Sequence, residues 1–194
     1  MLPDAYTYST LVVSSSEKIN EGLRPLLAAA RCTPVNYVGN VSAAKRAMLE
    51  VQYDFVIINT PLPDDFGTRF ATELCAGKSC VVLLLTASDV YEEIRARVTP
   101  YGVFTLPKPT NTALLSQGLH WMAPARERLR KLESKTVSIE KKMEEIRIVN
   151  KAKWLLIQSL GMTEPDAHRY IEKQAMDTCV TKREVAESII RTYG

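Results

Sequence analysis

The chain has 194 residues, of which 24% are charged and 46% apolar, and a formal net charge of +3. That length allows a well-formed core plus a small second module; the composition is that of an ordinary globular protein, and no apolar run approaches the ~20 residues needed to span a bilayer. The opening MLPDAYTYST has no basic segment followed by an apolar one, so no secretory leader is expected and the chain reads as cytoplasmic, away from membranes.

The charge is unevenly spread. Residues 1–125 carry 10 Lys and Arg against 11 Asp and Glu, residues 126–147 carry 8 against 5, and residues 148–194 carry 7 against 6. The middle stretch is therefore the basic part, an excess that a solvated helix face explains as readily as a polyanionic partner. Cys32, Cys75, Cys80 and Cys179 are scattered and have no histidine close by, which makes reduced thiols the expectation and leaves no zinc site; no cofactor is implied.

Taken in chain order, Thr10 to Val13 is a β-branched run ended by Ser14, Ser15 and Ser16, and Ile19, Leu23, Leu26 and Leu27 then recur at helical spacing. The alternation continues with a strand at Val35–Val38, a helix from Ser42 to Val51 with Ser42 as its cap, and a buried strand from Asp54 to Asn59. A helix follows over Gly67–Ala76, then a strand over Cys80–Leu85, a helix capped by Ser88 and ending near Val98, and a last strand over Val103–Leu106. Strands that are apolar at every position are covered on both faces. Five of them interleaved with helices predict a flavodoxin-like, doubly wound five-stranded parallel sheet with its site at the carboxyl ends of the strands.

Over residues 8–122 this domain resembles the receiver domains of two-component response regulators. The resemblance rests on DFVIINTPLPDDFG from Asp54 to Gly67, LLLTA from Leu83 to Ala87, and LPKP from Leu106 to Pro109. It implies that Ser14 and Ser15 stand where the family places a magnesium-binding acidic pair, and Asn59 where it places the phospho-acceptor aspartate. Thr86 and Lys108 match the family pattern. An amide is not a phosphoryl nucleophile, and hydroxyls are weak ligands for Mg²⁺, so the domain reads as a pseudo-receiver with no metal and no self-phosphorylation. Asp64 and Asp65 are poor substitutes because they lie in the loop beyond the strand end. Lys108, without its acidic cluster, is expected to hydrogen-bond Asn59 or a strand-end carbonyl. Control would come from a ligand, from protein concentration, or from a regulatory protein partner on this domain.

A helix starting near Asn111 runs through Leu114, Leu115, Leu119 and Met122 to Pro124, where a kink or a fresh start is expected. Beyond it Leu129, Leu132, Thr136, Ile139, Met143, Ile146, Asn150 and Lys153 fall at alternating steps of three and four, the seam of a left-handed coiled coil. One narrow apolar stripe on a charged rod favours a homodimer over packing on its own domain. The seam proper is Leu129, Leu132, Ile139, Met143 and Ile146; polar Asn150 and Lys153 mark where it opens.

Helical periodicity continues through Ile148, Ala152, Leu155 and Leu156 to Gly161. Thr163 caps a second helix, and Thr181 with Glu184 forms a capping box for a third, whose inner face is Val185, Ala186, Ile189 and Ile190. A three-helix bundle this small leans on the helix that precedes it.

This region, about residues 140–191, is similar to the ANTAR domain, the RNA-binding module of transcription antitermination regulators. The carrying residues are Ala152-Lys153, Leu156, the Gly161 turn with Thr163 and Glu164, Ala167, Ala175-Met176 and Val185-Ala186. Trp154, His168, Lys182 and Arg183 depart from the family pattern. The resemblance implies a hairpin pair in nascent RNA as target. The cations available to it are Lys151, Lys153, His168, Arg169, Lys173, Lys182 and Arg183, with Lys153 and Arg169 foremost. Trp154 reads as core or interface rather than a base platform.

The domain plan is thus 1–122 pseudo-receiver, 123–147 coiled-coil linker, and 140–194 RNA-binding ANTAR module. The chain reads as a non-enzymatic regulator that stabilises a tandem-hairpin antiterminator. The alternative is a coiled-coil dimeric signalling adaptor whose bundle binds protein. A small enzyme or nucleotide binder is disfavoured, since no Gly-rich phosphate loop follows the first strand and His120 and His168 have no nucleophile partner in sequence.

Overall fold

A computed structural model describes residues 6–77 and 80–194. The reading of the opening MLPDA as no leader concerns residues outside these. The chain divides into two compact units, residues 1–132 and 133–194.

In the first unit, β1 (Tyr8–Val13), α1 (Glu17–Ala29), β2 (Cys32–Val38), α2 (Val41–Glu50), β3 (Phe55–Asn59), α3 (Thr68–Gly77), β4 (Val81–Ala87), α4 (Tyr91–Val98) and β5 (Phe104–Lys108) alternate, with a 3-10 turn at Thr99–Tyr101 before β5. The strands are all parallel, in the order β2-β1-β3-β4-β5, which is the doubly wound arrangement expected from the apolar runs. All five residues of β3 are buried, as its central place requires. Pro34 lies in β2 and Pro107 in β5, the two edge strands, where a missing ladder N–H is tolerated.

Successive residues of the central strands point to opposite layers. Leu11, Val13, Val56, Ile58, Val82 and Leu84 meet α2, α3 and α4. Val12, Phe55, Ile57, Leu83 and Leu85 meet α1 and the first part of α5 (Thr112–Leu160) through Leu23, Leu27, Leu119 and Met122. Gly118 is placed so that a Cβ would come within 3.1 Å of Leu106, so an unsubstituted Cα lets α5 lie close on β5.

Three local expectations are corrected. Helix α2 is capped by Asn40, whose side chain accepts from the Ala43 N–H, and Ser42 lies inside the first turn. Ser88 does not cap α4, which begins after Val90; its hydroxyl donates instead to the Lys108 carbonyl at 2.7 Å. Pro124 neither ends nor restarts the fifth helix, since α5 is one helix of 49 residues with Pro124 inside it. Pro124 is exposed and has no N–H for the carbonyl of His120, but its neighbours Met122 and Ala123 are fully buried. That packing holds the helix in register where local propensity disfavours it.

In the second unit the end of α5, α6 (Glu164–Thr178) and α7 (Lys182–Tyr193) bury Ala152, Leu156, Ala167, Ile171, Ala175, Val185, Ala186 and Ile189. Four of these eight are alanines, which lets short helices pack closely around a thin core. Gly161 takes a φ of 65° where α5 stops, a left-handed turn that glycine adopts without strain. Thr163 accepts from the Asp166 N–H, and Thr181 and Glu184 form the full capping box. No helix among the described residues is long and apolar enough to cross a membrane.

Candidate functional sites

The carboxyl ends of β1, β3, β4 and β5 bring Ser14, Asn59, Thr86 and Lys108 together. Register places Val13 beside Ile58, Asn59 beside Leu85 and Lys108 beside Ala87. Lys108 Nζ donates to Asn59 Oδ1 at 2.8 Å and, by a very short contact, to the Thr60 carbonyl. Asn59 Nδ2 in turn donates to Ser14 Oγ at 3.1 Å, and Ser14 Oγ also accepts from the Ser16 N–H at 3.2 Å. Ser15 is exposed. Thr86 is fully buried and its hydroxyl has no partner among the described residues. Among the described residues no carboxylate pairs with Lys108, and burial pushes its ammonium below the usual lysine range.

The acidic residues of the loop after β3 are committed elsewhere. Asp64 accepts from the N–H groups of Val41 and Ser42 at 3.0 and 2.9 Å and from the Ser42 hydroxyl at 2.9 Å. These bonds to the open end of α2 hold its carboxyl below the usual range. Asp65 accepts from the Gly67 N–H at 2.6 Å.

A second cluster, which sequence reasoning missed, lies at the opposite ends of the strands. Arg126 Nε and Arg130 Nη2 both reach Asp54 Oδ1, at 2.8 and 2.9 Å. Asp54 Oδ2 accepts from the Ser9 N–H at 3.0 Å. Arg130 also pairs with Glu127 and lies over the rings of Tyr6 and Tyr8. Burial alone would raise the Asp54 carboxyl, but the hydrogen bonds from Arg126, Arg130 and Ser9 prevail and hold it below the usual range. An aspartate just before a strand and arginines four apart on a helix carry no signal of contact until the fold is known.

Along α5 the expected seam divides. Leu129 packs against the core of the first unit and is not a free seam residue. Leu132, Ile139, Met143 and Ile146 are each at least half exposed, and Val137 joins them.

In the second unit the seven expected RNA-contacting residues separate into two sets. Lys153 donates to Glu164 at 2.7 Å with its side chain only 16% exposed, so it ties α5 to α6 and is not a free cation. Lys182 and His168 both meet Glu172, at 2.5 and 3.3 Å, and Arg183 meets Glu187 at 2.8 Å. Lys151, Arg169 and Lys173 are exposed and form no ion pair among the described residues. A groove of about 350 Å³ is lined by Lys142, Ile146, Asn150, Lys153, His168 and Lys182, with Glu145 and Val149. Of the two places expected for Trp154, core or interface, its 59% exposure excludes the core.

The parallel sheet, its strand order and its carboxyl-end residues define a receiver-like domain, joined through α5 to a helical module of a different kind. That module is an ANTAR domain, matched over residues 138–190. Over 141 residues the chain is 28% identical to the transcriptional regulatory protein PdtaR of Mycobacterium tuberculosis, covering 73% of this chain and 69% of that protein. The fold of the first unit is shared with the signal receiver domain of an HD domain-containing protein from Pseudomonas fluorescens Pf-5, with a TM-score of 0.58, 21% identity, and coverage of 67% of this chain and 97% of that one. It is shared also with a CheY-like response regulator receiver domain from Methylobacillus flagellatus, with a TM-score of 0.52, 23% identity, and coverage of 60% and 99%.

Proposed function

We propose that the protein is a cytoplasmic, non-enzymatic regulator of transcription that binds paired hairpins in nascent RNA and so prevents a terminator from forming. The observation that carries this reading is the ANTAR domain at residues 138–190, on whose surface Lys151, Arg169 and Lys173 stand exposed and, among the described residues, without ion pairs. Free cations can neutralise phosphates directly, whereas Lys153, Lys182 and Arg183 must first give up a carboxylate. The similarity to a transcriptional regulatory protein supports the same reading.

Dimerisation follows from the exposed apolar residues of α5, from Leu132 to Ile146. Two copies joined there present two RNA sites at once, and linked hairpins then bind far more tightly than single ones. The functional division is a pseudo-receiver over 1–122, a coupling helix over 123–147 and the RNA-binding module over 140–194. In the first of these, Asn59 stands at the strand end as an amide, which cannot serve as a phosphoryl nucleophile. Ser14, Ser15 and Asn59 supply only neutral oxygens, a donor set that does not fit Mg²⁺. Regulation therefore comes through something other than phosphoryl transfer to Asn59.

A gel shift with a tandem-hairpin RNA at two salt concentrations tests the proposal. A complex that weakens steeply as salt rises supports it. The ion pairing of Lys153, Lys182 and Arg183 favours a protein-docking bundle instead. Absence of any shift at low salt decides for that second reading.

A further inference from the structure

We propose that a recess at the foot of the parallel sheet, within the first unit, is a ligand site for a small aromatic monocarboxylate held by Arg128. It lies at the opposite ends of the strands from Asn59 and Lys108, and the inference does not depend on the RNA reading.

The recess measures about 610 Å³ and lies between the end of α3, the first residues of β4 and β5, and one face of α5. That volume is in the range of sites that enclose small molecules. Its walls are apolar: Val81 and Phe104 come from the strands, and Leu129 and Leu132 from positions three apart on α5, with the Tyr101 ring beside them. Cys75 and Cys80 add two thiols. Burial pushes the Cys75 thiol up to about 12, so it stays neutral and acts as part of the apolar wall.

Charge decides the chemical class. Among the described residues Arg128 is the only charged side chain that lines the recess, and no carboxylate does. Arg128 is exposed and forms no ion pair among those residues. The positions three and four away on α5 are Pro124, Ala125, Lys131 and Leu132, none of them acidic. Its guanidinium is therefore open to a carboxylate from outside, which it holds through two parallel hydrogen bonds. One cation matches one anionic group; a second charge would face Val81, Phe104 and the leucines without a partner, which disfavours diacids and nucleotides. A planar ring suits the remainder of the ligand, because two aromatic side chains and two thiols border the same space and both make favourable contacts with a ring. A ligand seated here touches both strands and α5 together, and so adds to what holds α5 on the sheet.

The test is a titration of the full chain, free of RNA, with phenylacetate, indole-3-acetate and 1-naphthoate and with the neutral amide of each, followed by amide chemical shifts and by melting of the first unit. At least one of the acids is expected to give saturable shifts centred on Cys80, Val81, Gly102, Phe104, Leu129 and Leu132, and to raise the melting temperature. Its amide should bind at least tenfold more weakly, a difference of about 1.4 kcal/mol. Arg128→Gln should lower the affinity for the acid to that of the amide, and Arg128→Lys should keep the preference for the acid. Because Arg128 is exposed, neither replacement removes anything from the core. Saturation with none of the three acids overturns the proposal. So do saturable shifts confined to another part of the chain, or an acid that Arg128→Gln binds as tightly as the unaltered chain does. Because RNA is absent, failure here leaves the RNA reading untouched.

Discussion

Arg126 donates to Asp54 at 2.8 Å across 72 residues of sequence, and both side chains are almost nine-tenths buried. With Arg130 on the same carboxylate, the pair fastens the start of α5's exposed stretch to the foot of the central sheet. The residues that hold the coupling helix in place are thus distinct from the strand-end cluster at the other edge of the sheet.

Removing Asp54 alone takes from Arg126 and Arg130 the carboxylate they share, while Arg130 keeps its pairing with Glu127. Asp54→Ala is expected to destabilise the first unit by about 3–5 kcal/mol, read as a lower denaturant midpoint for that unit. The pH dependence has a definite sign. Because the folded carboxyl lies below its ordinary value, its stabilising contribution is full above the unfolded value of about 4. It is lost as pH falls below that value and through the lowered folded one. Denaturant midpoints measured between neutral pH and strong acid should therefore fall less in Asp54→Ala than in the unaltered chain.

Lys153 is held by Glu164, whereas Lys151 is exposed, and the two are expected to respond differently to replacement. Lys153→Gln breaks the bond to Glu164 and is expected to lower the melting temperature of the ANTAR module, by a contribution of about 1 kcal/mol. Lys151→Gln should leave melting unchanged and weaken RNA binding. The salt slope should fall by roughly one for each of Lys151, Arg169 and Lys173 replaced by Gln. Equal slopes for these variants and the unaltered chain would remove these residues from the interface.

How much of this was legible in the sequence follows from which interactions are local. The five strands of the parallel sheet and the thin bundle core could be read because uniformly apolar strands and three-four spacing are properties of short windows. The capping box of Thr181 and Glu184 is local for the same reason. Asn59, Lys108 and Ser14 could be brought together only through a family resemblance, since their contacts cross 45 and 49 residues. The Asp54 latch had no such guide. The bond from Lys153 to Glu164 was not legible, because a residue's pattern says nothing of the carboxylate eleven positions on that meets it. Asn40 was passed over as a cap because Ser42, equally suited by type, stands two residues later, and what separates them is the Asp64 carboxylate that reaches back to Val41 and Ser42.

Capping of α2 by two separate groups makes a test of that long-range arrangement. Asn40→Ala removes one acceptor and is expected to cost about 1 kcal/mol. Asp64→Asn keeps the shape but weakens the charge-assisted bonds to the helix start, and is expected to lower the denaturant midpoint by less than Asn40→Ala does. Because both act on the same first turn, their combined effect should differ from the sum. A double-mutant cycle by urea denaturation measures the difference.

The apolar face of α5 gives the sharpest functional prediction. Ile139 and Met143 are exposed by 57% and 52%, and neither touches a core cluster of either unit. Replacing them therefore removes nothing from the folded interior, and Ile139→Glu with Met143→Glu should leave melting of both units intact. If these residues form the dimer seam, four carboxylates facing one another in the dimer oppose association. Sedimentation should then show a monomer. Binding to a single hairpin should be little changed, whereas binding to the tandem hairpin should fall on the order of 100-fold, because the second contact is no longer intramolecular. A monomer that still binds the tandem RNA as tightly as the unaltered chain would show that one ANTAR module reads both hairpins. A double variant that remains dimeric would place the association surface elsewhere than on the stripe from Leu132 to Ile146.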